Sequence, residues 1–348
     1  MKKHLLSSIL LSIILFNACN SNSQKEIVLL EYSKGFASNV FIGIPGYIIA
    51  TEKHLVGFNT GADLFFYKQN TSQADSVYRF GKGGQGPDEF VHPSTLQYIN
   101  DSLAGTYDIT LRTFNEISLT PNTVPLKQKT LRFDNNMNFS ILKTSYNQYI
   151  GMGAYPEGMF IMFDSLGNTI KNFFEYPFQT ADERKIKNQL RAMAYQGKIS
   201  ANRSGTKFVY AAFNADIIHF YDILNGEIEL KYKIEKHFCE YLPEEINGSF
   251  SAIIKSTVKR TYCDVYATDK YVYLLYSGKS YEEYKEHILD CDILIIYDWS
   301  GNLKKEISLN TPCKYLCVSP DDTKMWAISE IPEPTIIEFD LTKLNTDK

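Results

Sequence analysis

A basic surplus is the first thing this sequence lacks. Its 348 residues carry 36 Lys and Arg against 40 Asp and Glu, a formal net charge of -4. A protein that grips nucleic acid mainly through its phosphates needs a net basic face, so that class is excluded. No run is long enough to cross a bilayer: the N-terminal apolar stretch Leu5–Phe16, broken only by serines, is twelve residues, where a spanning helix needs about 20. Cysteine occurs in no CxxC pair and histidine in no HxH or HExxH, which removes the short-spaced zinc patterns. There is no GxSxG nucleophile elbow. Apolar residues are not lacking: at 44% hydrophobic the chain does not have the composition of a disordered one. What stands out instead is Tyr 24 and Phe 22 against Trp 2. Aromatic and β-branched enrichment favours strands, and a chain this long buries a large core without disulfide staples. The expectation is a large β-rich globular body.

The first segment reads as an address. Lys2, Lys3 and His4 precede the apolar run, the layout of a signal peptide. Phe16-Asn17-Ala18-Cys19 follows and resembles a bacterial lipobox, departing from it at Phe16 and Asn17. Cleavage before Cys19 would leave its thiol to carry lipid, and several acyl chains anchor firmly where one is marginal. Residues 1–18 are thus expected to be a lipoprotein signal peptide and 19–25 a polar tether. Residues 26–348 are expected to form one domain. The expected location is the cell envelope, lipid-anchored at the outer membrane. The remaining cysteines are Cys239, Cys263, Cys291, Cys313 and Cys317, an odd number that cannot pair completely. Cys313 and Cys317 meet only if the chain turns between them. The expectation is buried thiols, leaving room for one disulfide. The histidines of the mature chain, His54, His92, His219, His237 and His287, are dispersed. Neither a metal nor a cofactor is expected.

A unit repeats along the mature chain. Apolar stretches end in an aromatic, an Asp and a turn: Phe163-Asp164, Tyr221-Asp222, Tyr297-Asp298 and Phe339-Asp340. After the first three turns a further strand-like run begins, as in a hairpin built on Asx and Gly chemistry. These four Asp are read as turn-stabilising rather than catalytic. Polar turns such as Ala201–Lys207, Ala267–Lys270 and Ser319–Lys324 precede other strand-like runs, giving units of about four strands. The Asp residues are spaced by 58, 76 and 42 positions. A period of about 40–50 with inserts is that of a propeller blade. Length permits six or seven blades, and the inserts favour six: Ile44–Phe80, Phe90–Phe133, Phe139–Phe174, Lys198–Ile234, Ala252–Leu309 and Cys313–Phe339. The last is short of a strand, which Glu26–Tyr32 is expected to supply, closing the ring and removing its open edges. Two inserts read as helical: Thr180–Tyr195, with Ile186, Leu190 and Met193 after a Thr180 cap, and Glu244–Lys259, with Ile246, Phe250, Ile253, Ile254 and Val258 as a stripe. Ser280–Leu289 is a third insert, rich in Tyr and Glu.

The most distinctive string is Arg79-Phe80-Gly81-Lys82-Gly83-Gly84-Gln85-Gly86-Pro87-Asp88-Glu89-Phe90. Gly81, Gly83 and Gly86 match GxGxxG, with Asp101 where a ribose-binding acid would stand. A dinucleotide site needs a helix to open at the last glycine, and Pro87 with the β-like run beyond it contradicts one. The string, with Phe90 and Pro93, is similar to the blade connection of NHL-type propellers. Tyr107–Phe114 continues the likeness, with Leu111 where that family has Asn before Arg112. The lipobox, this loop and the late Ile296–Asn302 hairpin together resemble the TolB-like, six-bladed β-propeller lipoproteins of Gram-negative envelopes. That resemblance implies an all-β six-bladed propeller and carries over no catalytic residue. Gly81, Gly83, Gly84, Gly86, Pro87 and Phe90 are accordingly a structural loop, with Asp88 and Glu89 receiving backbone N–H bonds or pairing with Arg79.

Function follows less directly. Tyr276, Tyr281 and Tyr284, with Tyr262 and Tyr266, crowd the fifth blade and suit a ligand-contacting surface. The leading expectation is a noncatalytic binding or scaffolding module for a protein, peptide or glycan, recognised by inserted loops on one face of a rigid ring. The alternative is an envelope lyase or hydrolase with its site at the mouth of the channel. A channel ring of His and carboxylates would favour the enzyme. Bulky apolar lining would favour the binder.

Overall fold

The structure is a computed structural model that describes residues 28–35, 40–41, 43–73, 76–133, 137–224 and 226–344. The signal segment, Cys19 and the tether lie outside them. Six blades of four antiparallel strands follow one another along the chain, and the sheet of the fifth takes one further strand. Their first strands are Ile44–Ala50, Gln97–Asn100, Asn138–Lys143, Gly197–Ala201, Lys259–Ala267 and Tyr315–Val318. Each pairs with the next strand in sequence, so every sheet is a simple meander, a propeller blade.

Burial explains the sequence of each blade. Middle strands such as Tyr149–Gly153 and Lys207–Ala212 are almost wholly buried, because blades stack face to face and cover both sides. Outer strands such as Thr169–Phe173 and Glu227–His237 are mostly exposed and accordingly polar. Tyrosine fills much of the space between blades. Tyr176 donates to the Gly153 carbonyl at 3.1 Å, Tyr195 to Glu183 at 2.8 Å and Tyr273 to Asp322 at 2.9 Å. A buried phenol supplies apolar area while its hydroxyl still finds a partner.

Ring closure differs from expectation in register. Tyr32–Gly35 pairs antiparallel with Thr335–Asp340 and is the fourth strand of the last blade. The apolar Val28–Leu30 runs parallel to Leu303–Cys313 and adds a fifth strand to the blade before it. Apolarity therefore marks a strand without saying which sheet takes it. The closing strand lies on the solvated rim, where Tyr-Ser-Lys-Gly suffices.

The glycine loop joins the first two blades. Gly81 has φ +78°, and a Cβ there would strike the Phe66 ring. Phe90 is fully buried edge-on to the same ring, 5.0 Å away. Glu89 accepts from the Gly86 N–H at 2.8 Å and Asp88 from the Lys127 N–H at 2.9 Å. Beneath them the buried Asp108 carboxylate accepts four backbone N–H groups, from Val91, His92, Thr110 and Leu111. Asp164 and Asp298 each accept two turn N–H groups and an Asn side-chain amide. Asp340 accepts the Thr342 N–H, whereas Asp222 faces Lys207 Nζ at 3.0 Å.

Candidate functional site: a central channel and an insert-bearing face

The inner strands of all six blades run the same way around the axis and enclose a cavity of about 320 Å³. Its lining includes Tyr47, Tyr98, Phe139, Lys198, Tyr266 and Leu316, one from each inner strand. Alternate residues of a strand face one side, so each inner strand gives the channel only a few side chains. Most are apolar or aromatic. The charged ones are Lys198, Arg203 and Asp264.

Lys198 and Asp264 form a buried ion pair between the fourth and fifth blades. The Asp264 carboxylate also accepts from the Val265 N–H at 2.7 Å and the Leu316 N–H at 2.8 Å. The ammonium lies 3.3 Å from the centre of the Tyr47 ring, with Tyr315 5.2 Å away on a further blade. Burial pulls the Lys198 ammonium below its ordinary range, an effect its Asp264 partner opposes. Burial likewise raises the Asp264 carboxyl, against the pull of Lys198. Burial also raises the Tyr47 phenol, and Asp264 adds to it. Such a pair fixes how the blades meet.

Arg203 stands just beyond the inner strand Gly197–Ala201, in the turn to the second strand of that blade. Its guanidinium lies 3.6 Å from the Tyr98 ring centre, and one N–H donates to the Ala50 carbonyl at 2.9 Å. Among the described residues no carboxylate forms an ion pair with it.

The two ends of the ring differ. Where the inner strands finish, tight turns such as Thr144–Gln148, Asn202–Lys207 and Ser319–Lys324 close the hairpins. Where they begin, the inserts gather. Thr180 caps α1 (Ala181–Arg184) by accepting the Glu183 N–H, and α2 (Asn188–Ala194) follows with Leu190 buried, as the sequence predicts. The Glu244–Lys259 segment corrects its expectation. It is not a helix but the greater part of a hairpin, Tyr241–Ile246 with Ser249–Ile254. Asn247 and Gly248 both have positive φ, +50° and +79°, the backbone of a tight two-residue turn that Asn-Gly favours. The fifth blade consequently starts at Lys259 rather than Ala252. The third insert is α3 (Tyr281–Tyr284) with a 3-10 turn, Lys285–Leu289. It meets the hairpin segment where the Glu282 N–H donates to the Ser256 carbonyl at 2.9 Å.

The predicted tyrosines divide. Tyr281 and Tyr284 are 56% and 45% exposed on α3, while Tyr276 is half-buried against Tyr262, with ring centres 5.7 Å apart. Tyr262 is buried and bonded to Asp216. Of the five, Tyr266 alone lines the channel. Sequence reasoning did not single out Lys198, Asp264 or Arg203; the first two stand alone among strand residues and Arg203 in a short turn, with no spacing that marks them. Among the described residues all five cysteines are free, so the room left for a disulfide is not used. Cys313 instead lies opposite Cys291 across adjacent strands. His219 bridges Tyr221 (3.0 Å) and Glu235 (2.8 Å) in a structural triad. Among the described residues no three His, Cys, Asp or Glu side chains cluster as a metal site would, and no helix is long and apolar enough to cross a membrane.

A family model described as TolB-like 6-blade propeller-like matches residues 23–321. No curated protein sequence matches the chain. Among solved structures, the β-propeller domain of Myceliophteria thermophila Cps50 (Swd1) aligns at 9% identity and a TM-score of 0.49, over 87% of this chain and 98% of that one. A putative exported protein of Bacteroides fragilis aligns at 11% identity and a TM-score of 0.48, over 90% and 98%.

Proposed function

The chain belongs to the TolB-like six-bladed propeller family, and on that footing we propose that it is a noncatalytic binding or scaffolding module of the cell envelope, held to the outer membrane by lipid on Cys19. Its ligand is a protein, peptide or glycan that docks on the insert-bearing face. The supporting observation is the asymmetry of the ring. Among the described residues one end carries turns and the 119–126 loop but no helix, while the other gathers α1, α2, the 241–254 hairpin and α3. That face displays Tyr281 and Tyr284 together with Leu242, Ile246 and Ile253, all more than 40% exposed. Rigid aromatic and aliphatic side chains on a fixed scaffold make contact area at low entropic cost. Tyr276 is on the same blade, half-buried against Tyr262.

The reading is tested by placing a photoreactive phenylalanine analogue at position 281, and separately at Asp321 on the tight-turn face. After irradiation of intact cells, adducts at 281 and not at 321 are expected. Equal labelling at both, or none at either, would sink the proposed docking face. For the anchor, Cys19→Ala is expected to release the chain from the membrane fraction and to abolish incorporation of labelled fatty acid.

A further inference from the structure

The channel has chemistry of its own, which the insert-bearing face does not use. Its charges do not cancel. Lys198 and Asp264 neutralise each other across a buried contact, leaving Arg203 to set the sign. Arg203 is half-buried, stacked on Tyr98, and has no carboxylate partner among the described residues. A guanidinium carries five N–H donors in a plane; the Ala50 carbonyl takes one, and the Tyr98 and Tyr266 hydroxyls also hydrogen-bond to the group. A partly desolvated cation with more donors than these neighbours use, and no carboxylate among them, is a ready seat for a carboxylate.

Beyond Arg203 the cavity turns apolar, with Ile48, Phe139 and Leu142 on its walls. At about 320 Å³ the space is at the lower end of the range for small-molecule sites, about 300–1,000 Å³. A bare inorganic anion would satisfy Arg203 and leave the apolar walls unused. A cation would meet Arg203 with like charge.

We infer that the channel binds a small amphipathic organic acid, its carboxylate on Arg203 and its apolar body lying along Tyr98 and Phe139. The site stands apart from the partner-docking face, so either can fail without the other.

The test is calorimetric titration of the purified full chain with three matched probes, 4-phenylbutyrate, 4-phenylbutyramide and 4-phenylbutylamine, and with acetate. The acid is expected to bind most tightly, with the amide at least about tenfold weaker, a difference of about 1.4 kcal/mol. The amine and acetate are expected to give no measurable heat. Arg203→Gln, checked for an unchanged unfolding temperature, should erase the acid–amide difference. Four results would each overturn the inference: amine binding equal to acid, acetate binding equal to phenylbutyrate, an acid preference that survives Arg203→Gln, or no binding by any probe at millimolar concentration.

Discussion

Lys198 shows how much one side chain depends on another. Its ammonium is held by Asp264 and by the faces of Tyr47 and Tyr315, and removing it strands a buried carboxylate. Lys198→Met is therefore expected to cost about 3–5 kcal/mol. The double change Lys198→Met/Asp264→Leu should recover much of that loss, since an apolar pair of similar volume carries no desolvation penalty. Chemical denaturation of the three proteins checks this; a single variant within 1 kcal/mol of wild type, on the scale of an exposed pair, would contradict the buried-pair account. Glu235 provides a pH signature. The hydrogen bond from His219, with help from Lys233 and against some burial, pulls its carboxyl from 4.5 to about 2. A carboxyl depressed in the folded state contributes stability above its unfolded value, and that contribution is lost as pH falls from 4.5 toward 2. Glu235→Gln should thus be less stable than wild type at neutral pH, with the gap closing over that interval in acid denaturation curves. A gap of constant size would show that the triad does not titrate in this window.

At the scale of elements, the informative contrast is between two inserts of similar composition. Thr180–Tyr195 was legible as helical because its cap is local: Thr180 and Glu183 satisfy each other's neighbourhood within one turn. Glu244–Lys259 offered an apolar spacing that fits a helix, yet Asn247-Gly248 governs. With Leu242 opposite Ile253 and Pro243 opposite Ala252, the same apolar residues divide between two faces of a hairpin. One face meets α2 and the other is exposed. Periodicity over so short a segment does not separate the alternatives, whereas a dipeptide suited to positive φ does. Replacing Asn247-Gly248 by Ala-Ala should therefore loosen this hairpin locally. In hydrogen exchange, amides of residues 241–254 should lose protection while those of Lys207–Ala212 keep theirs. Equal loss in both would show that the hairpin is an integral part of the ring rather than an attachment to it.

At the scale of the whole molecule, stability rests on closure. The two N-terminal strands lie on neighbouring blades, Val28–Leu30 on the fifth and Tyr32–Gly35 on the sixth, so one short segment ties both to the start of the chain. Removing residues 1–35 should lower the unfolding temperature and expose the Thr335–Asp340 edge to pairing with other chains. Light scattering on heating and size-exclusion chromatography report both effects. A truncated chain that stays monomeric with an unchanged unfolding temperature would show that the ring does not need this closure.

The sequence by itself determined the all-β class, the repeat and the six-blade count. It also marked the hairpins by their aromatic-Asp turns and the glycine loop by its φ requirement at Gly81. All of these rest on contacts between residues near one another in the chain. The tertiary structure decided what depends on distant parts of the chain meeting. It set the partner of each N-terminal strand and brought Lys198 to Asp264, 66 positions away. It also placed Arg203 over Tyr98 on a different blade. Nothing local in a strand tells one solitary Lys or Arg that faces the axis from another that faces solvent. The curvature of the ring makes that choice, and with it the character of the channel.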